Sequence, residues 1–92
     1  MPETINSEAA ILNRVILPDR GDLSVDAATS ILKLQLDAYD LDRMHQLAAK
    51  RQDGELSEGE QQELERYRHV GHMLDLMRSK ARRSLAQLRA GG

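Results

Sequence analysis

Apolar positions recur at three- and four-residue steps through most of this chain, the period of an α-helix with one buried face. Ala9, Ile11, Leu12, Val15 and Ile16 form the first such group. It opens at Ile5-Asn6-Ser7-Glu8, a helix entrance, and stops before Pro18, which predicts a short first element whose conformation the pattern leaves open. The turn Pro18-Asp19-Arg20-Gly21-Asp22 leads to Leu23-Ser24, where Ser24 is a favourable N-cap and Asp26 sits in the first turn. A second helix is expected from about Val25 to Leu34. The alternation of Leu32, Leu34 and Leu36 fits an extended end equally well. Asp37 then caps a third helix, Ala38 to Gln52, with Leu41, Met44, Leu47 and Ala48 on one face and Gly54 as its left-handed stop.

The last third reads as one uninterrupted helix from Leu56 to Arg89, its helical residues starting near position 58. Ser57-Glu58-Gly59-Glu60 has the form of a capping box. Acidic residues crowd the start (Asp53, Glu55, Glu58, Glu60, Glu63, Glu65), and Arg78, Lys80, Arg82, Arg83 and Arg89 occupy the end, so both signs complement the helix dipole. At about 1.5 Å per residue such a helix runs roughly 45–50 Å, against a radius of gyration of about 12 Å for a compact domain of this length. Part of it is therefore expected to project or to meet another chain.

The short connection Asp53-Gly54-Glu55-Leu56 implies an antiparallel hairpin, with the third helix against the first half of the fourth. Along the long helix Leu64, Tyr67, Gly71, Leu74, Ala81, Leu85 and Leu88 form a seam, with Arg78 at one seam position and Val70, Met73 and Met77 widening the face. Helix three is long enough to cover Leu64 to about Met77. Beyond it, Ala81, Leu85 and Leu88 need cover from the N-terminal elements or from another subunit. Gly71 costs roughly 1 kcal/mol against Ala in a helix interior, and fits either a close helix crossing or a kink.

Composition narrows the class. The 92 residues include no Phe, Trp or Cys and only two Tyr, Tyr39 and Tyr67. Leu, Ile, Val, Met and Ala make up the rest of the apolar content, a mixture suited to a helical bundle. A single domain spanning 1–92 is expected, and a chain this short buries little more than half of its unfolded surface. Without cysteine there is no disulfide, thiolate nucleophile or thiolate metal site. Met1-Pro2-Glu3-Thr4 lacks the basic start of a signal peptide, and no apolar run approaches a membrane span, so a cytoplasmic location without membrane contact is expected. A net charge of −2 argues against a dedicated nucleic-acid binder, although that average conceals the polarity of the long helix.

Candidate chemistry is sparse. His69 and His72, with Glu65 or Asp75, have the spacing to hold a divalent metal, but solvated polar residues on a helix turn explain them as well, and no metal is assigned. A carboxylate-bridged di-iron bundle requires two Glu-x-x-His helices; Arg66 precedes His69 and Asp42 precedes His45 at that spacing. Gly54, Leu56 and Glu60 echo the second half of a calcium loop, yet Ala49 and Arg51 stand where ligands are needed, and helix capping accounts for the pattern. No nucleophile elbow, phosphate-binding glycine loop or nuclease-type histidine cluster is present. A non-enzymatic protein without a cofactor is expected.

Three groups of motifs resemble a family of small uncharacterised bacterial proteins. They are Gly54-Glu55-Leu56-Ser57-Glu58-Gly59-Glu60-Gln61-Gln62-Glu63-Leu64, then Tyr67-Arg68-His69-Val70-Gly71-His72-Met73-Leu74, then Arg78-Ser79-Lys80-Ala81-Arg82-Arg83-Ser84-Leu85. Pro18-Asp19-Arg20-Gly21-Asp22-Leu23-Ser24 and Arg43-Met44-His45 extend the likeness over nearly the whole chain. Members are often encoded beside HNH-type endonucleases, so the resemblance implies an accessory, immunity or antitoxin-like subunit and supplies no catalytic residues. Met73 and Met77 stand where most relatives have Leu, softer residues that tolerate imperfect packing.

These readings converge on an all-α fold, a helical hairpin with a long C-terminal helix braced by shorter N-terminal helices, as a homodimer or half of a hetero-complex. The expected role is a protein-binding module. Leu74, Met77, Ala81, Leu85 and Leu88 would bury apolar area while Arg78, Lys80, Arg82 and Arg83 select an acidic partner surface. The alternatives are a nucleic-acid-binding regulator that uses a dimerised basic helix end, and simple structural self-assembly.

Overall fold

Four helices make up the regular structure of the computed structural model, which describes residues 6–91. They are α1 (Glu8–Ile16), α2 (Val25–Leu32), α3 (Ala38–Gln52) and α4 (Glu58–Gly91), and no strand occurs among the described residues. Ile5 of the first helix entrance and the Met1–Thr4 lead lie outside them.

Each helix begins where a side-chain oxygen receives a free backbone N–H. Ser7 Oγ accepts from Ala10 at 3.1 Å, Ser24 Oγ from Ala27 at 3.2 Å and Asp37 Oδ1 from Asp40 at 3.0 Å. At α4 the capping box closes in both directions: Ser57 Oγ accepts the Glu60 N–H at 3.1 Å, and Glu60 Oε1 accepts the Ser57 N–H at 3.2 Å.

The stops are equally local. Gly54 has φ of 70°, and the N–H groups of Glu55 and Gly54 reach the Lys50 and Arg51 carbonyls at 2.9 and 3.1 Å, the Schellman pattern. Leu17 takes the left-handed conformation, φ 54°, directly before Pro18. Helix α2 ends at Leu32, two residues earlier than expected. The N–H groups of Lys33 and Leu34 instead close i→i−3 turns on Ser30 and Ile31.

Within the 1–92 chain read as one domain, contacts group into two compact units: residues 6–34 with 72–91, and residues 35–71. Helix α4 contributes its first part to the second unit and the remainder to the first.

The 35–71 unit is the expected antiparallel hairpin, but its seam is rotated. Asp40, Arg43, Leu47 and Lys50 face α4, so that Tyr67 Oη donates to Asp40 at 2.7 Å and Arg43 forks onto Glu63 at 2.8 and 2.9 Å. Lys50 Nζ lies 2.6 Å from Glu60. Leu47 and Leu64 are the buried apolar pair. Of the four residues expected inward, Leu41 is 40% exposed, Ala48 is exposed, Met44 is half-buried and Leu47 alone is enclosed. A single helix partner covers only a narrow stripe, and polar side chains with partners on α4 occupy its edges. The cover also stops short of Met77. Fifteen residues of α3 can flank only about fifteen of an antiparallel partner at equal rise, and the unit ends at Gly71. A Cβ at Gly71 would meet nothing within 4 Å, so no close helix crossing occupies that position.

In the other unit the N-terminal elements supply cover for α4. Leu23 bonds to Ser84 and Leu34 accepts from Arg78, so α2 runs antiparallel to this part of α4. Ala28, Ala81 and Ser84 have no exposed surface. Gly21 rests on the α4 backbone itself, since a Cβ there would lie 2.8 Å from the carbonyl carbon and oxygen of Arg83 and 2.9 Å from Ser84 N. Only a residue without a side chain permits that approach.

Candidate partner-binding surface

The nine side chains assigned to partner binding divide according to what the N-terminal elements reach. Ala81 is fully buried. Lys80 is 14% exposed, with Nζ 2.8 Å from the Ile16 carbonyl oxygen and 2.9 Å from Asp22 Oδ1. The Lys80 ammonium holds the Asp22 carboxyl below its ordinary range, chiefly through that hydrogen bond. Arg78 donates to the Leu34 carbonyl, a charge-assisted bond that closes the end of α2. These three residues work inside the chain. Leu74, Met77 and Leu85 are half-buried.

Arg82, Arg83 and Leu88 remain at the surface. Arg83 lies 3.6 Å from Asp19, itself 92% exposed, a loose pair that solvent screens. Arg82 is exposed and makes no ion pair among the described residues. Leu88 is 46% exposed, one turn beyond Ser84, whose Oγ accepts the Leu23 N–H. In the same unit Ile11, Val15 and Val25 are exposed, Val15 at 73%.

The residue that organises this region is Ser84, which sequence reading passed over. Its Oγ accepts the Leu23 N–H at 3.0 Å and donates to the Lys80 carbonyl at 2.8 Å, with no surface left open to water. A buried hydroxyl must find such partners. The available signal was its place three residues after Ala81 on the apolar stripe, where a small polar residue lets a loop approach.

His69 Nε2 stands 3.9 Å from Glu65, and no group of three or more His, Asp or Glu among the described residues is arranged to hold a metal ion. No helix among the described residues is long and apolar enough to cross a membrane. No protein-family model matches the chain, and no curated protein or solved structure matches it either.

Proposed function

We propose that the chain is a non-enzymatic protein-binding module that engages its partner through the C-terminal end of α4. The observation that carries this reading is the exposed Leu88, next to the surface cation Arg89 and one turn beyond Ser84, with the exposed Arg82 further back on the same helix. An apolar anchor on a helix end whose Arg82 and Arg89 make no ion pair among the described residues suits a partner surface with an apolar pocket and carboxylates at its rim. The half-buried Leu85 extends that face, while Arg78, Lys80 and Ala81 act indirectly by fixing α4 against the N-terminal elements. The motif resemblance set out above supports an accessory, immunity or antitoxin-like partner of a nuclease, and the absence of cysteine suits a cytoplasmic setting.

Leu88→Asp tests the surface because its side chain is exposed and the change leaves the Ser84 contacts intact. Loss of the partner with unchanged helical content is the expected result. Normal binding by that variant would refute the reading. A nucleic-acid regulator would use Arg82 and Arg83, and requires retention on duplex DNA that falls steeply with salt and disappears when those two residues are neutralised.

A further inference from the structure

Because the seam of the 35–71 hairpin is taken by Asp40, Arg43, Leu47 and Lys50, the most apolar face of α3 is turned aside and left open. Met44 and Ala48 from α3 and Leu64 from α4 line a groove there, with His45, Arg51 and Arg68 at its edges. A second cleft, sharing Arg51, Leu64 and Arg68, adjoins it. Leu41, 40% exposed, continues the same face of α3 by one turn.

The charge at this groove runs against that of its surroundings. Residues 35–71 contain nine carboxylates against five Lys and Arg, yet both charged residues lining the groove are arginines. Arg43 and Lys50 are consumed by Glu63 and Glu60 in the seam. Arg51 makes no ion pair among the described residues. Arg68 is bonded to Glu65 at 3.1 Å, an exposed pair three residues apart that an incoming carboxylate can displace. Glu65 is the one carboxylate among the residues lining the two clefts.

We infer that this groove receives an amphipathic helix of a protein partner, with apolar residues over Met44, Ala48 and Leu64 and flanking carboxylates on Arg51 and Arg68. Small Ala48 lets a second backbone come close, and Met44 adapts its shape to the side chain that lands on it. Guanidinium groups on α3 and α4 fit carboxylates of a helix lying along the groove. A phosphate backbone would gain two cations but no stacking platform, and would leave the apolar floor wet. From Met44 to the end of α3 the floor spans about 12 Å, two to three turns of a docked helix. The inference rests on the protein-binding reading but places a contact on different residues from Leu88.

The test is an NMR titration of the isotopically labelled full chain with two designed peptides of about 14 residues, roughly four helical turns. One is built from Leu, Ala and Glu with Leu at helical spacing; the other has Lys for every Glu. Amide shifts confined to the groove, including Ala48 and Leu64, are expected with the acidic peptide, which should bind at least about tenfold more tightly than its lysine counterpart. The double variant Arg51→Glu, Arg68→Glu should reverse that preference while keeping the helical content of the parent. Equal binding of both peptides, shifts located elsewhere, or no shifts would overturn the inference. Groove shifts that depend on concentration of the chain alone would assign the groove to a second copy and overturn it as well. A Leu88→Asp chain should bind the acidic peptide like the parent, so failure at either surface is seen separately.

Discussion

Replacing Gly21 by alanine adds one methyl group at the tightest backbone approach among the described glycines. The new Cβ would sit 2.8 Å from backbone atoms of Arg83, about 0.6 Å inside the 3.4 Å where ordinary contact begins. Backbone inside a helix cannot swing away as a flexible side chain can, so the loop must lift by a similar amount. That displacement would stretch the bond from Leu23 N–H to Ser84 Oγ, now 3.0 Å, to about 3.6 Å, past useful hydrogen-bond length. It would leave a donor facing a buried hydroxyl. Overpacking costs about 1–3 kcal/mol and an unsatisfied buried group about 1–3 kcal/mol; because the two share one displacement, a net loss of about 2–4 kcal/mol is expected. Against a total of roughly 5–14 kcal/mol for a chain of this length, that is a large fraction. In urea, with a slope of about 1 kcal/mol per molar, the midpoint should fall by roughly 2 M or more. The same substitution at Gly71, where a Cβ meets nothing within 4 Å, should raise stability by about 0.5–1 kcal/mol through helix propensity. Circular dichroism read with the amide signals of Ala28 and Ser84 follows the affected unit. A Gly21→Ala midpoint within about 0.5 M of the parent, equivalent at that slope to the ordinary range for a neutral surface change, would refute the packing argument.

Other expectations come from the hairpin unit and from the exposed helix end. The Lys50 ammonium and the Ser57 N–H hold Glu60 down to about 2 from an ordinary 4.5. Its stabilising contribution should therefore be complete above pH 4.5 and be lost as pH falls toward 2. A carboxyl-carbon NMR titration checks this, and a Glu60 midpoint near 4.5 in the parent would contradict it; Lys50→Met should move the midpoint upward. Tyr67, donating to Asp40, is raised from 10.0 to about 12, so the stability it adds is present below 10 and lost as pH climbs through 12. Asp40→Asn should lower the Tyr67 midpoint in an ultraviolet titration, and an unchanged midpoint would exclude that hydrogen bond as the cause. Leu88→Gln, which is close to Leu in helix propensity and adds no charge near the helix C-terminus, should leave the stability within about 0.5 kcal/mol of the parent, as for other exposed positions; a larger loss would mean that Leu88 packs within the chain.

What could be read from the sequence was local. Ser7, Ser24, Asp37 and Ser57 announce their helices because a cap needs only residues three apart, and Gly54 announces a stop because its left-handed backbone favours glycine. The hairpin of α3 and α4 followed from the shortness of the connection. Its seam was misplaced by one column because hydrophobicity alone points to Leu41, Met44 and Ala48. Arg43, Lys50 and Asp40 win the inward positions through partners some ten to twenty-seven residues away. In the other unit the roles of Lys80 and Ser84 depend on Ile16 and Leu23, separated by 64 and 61 residues. No spacing rule reaches that far. A basic helix end therefore looked uniformly available, although Arg78 and Lys80 are bound to the N-terminal elements and only Arg82, Arg83 and Leu88 of the nine assigned residues are exposed.

Binding of a protein by the C-terminal end of α4 can be measured by affinity capture of the tagged chain from its native lysate. Parent and Leu88→Asp would be run side by side, each with and without nuclease treatment, and the captured material identified by mass spectrometry. One stoichiometric protein that survives nuclease treatment is expected with the parent and should be missing with Leu88→Asp, while both chains show the same helical content. Capture of nucleic acid alone, recovery of the chain without any partner, or an identical partner on the Leu88→Asp chain would contradict binding through that end.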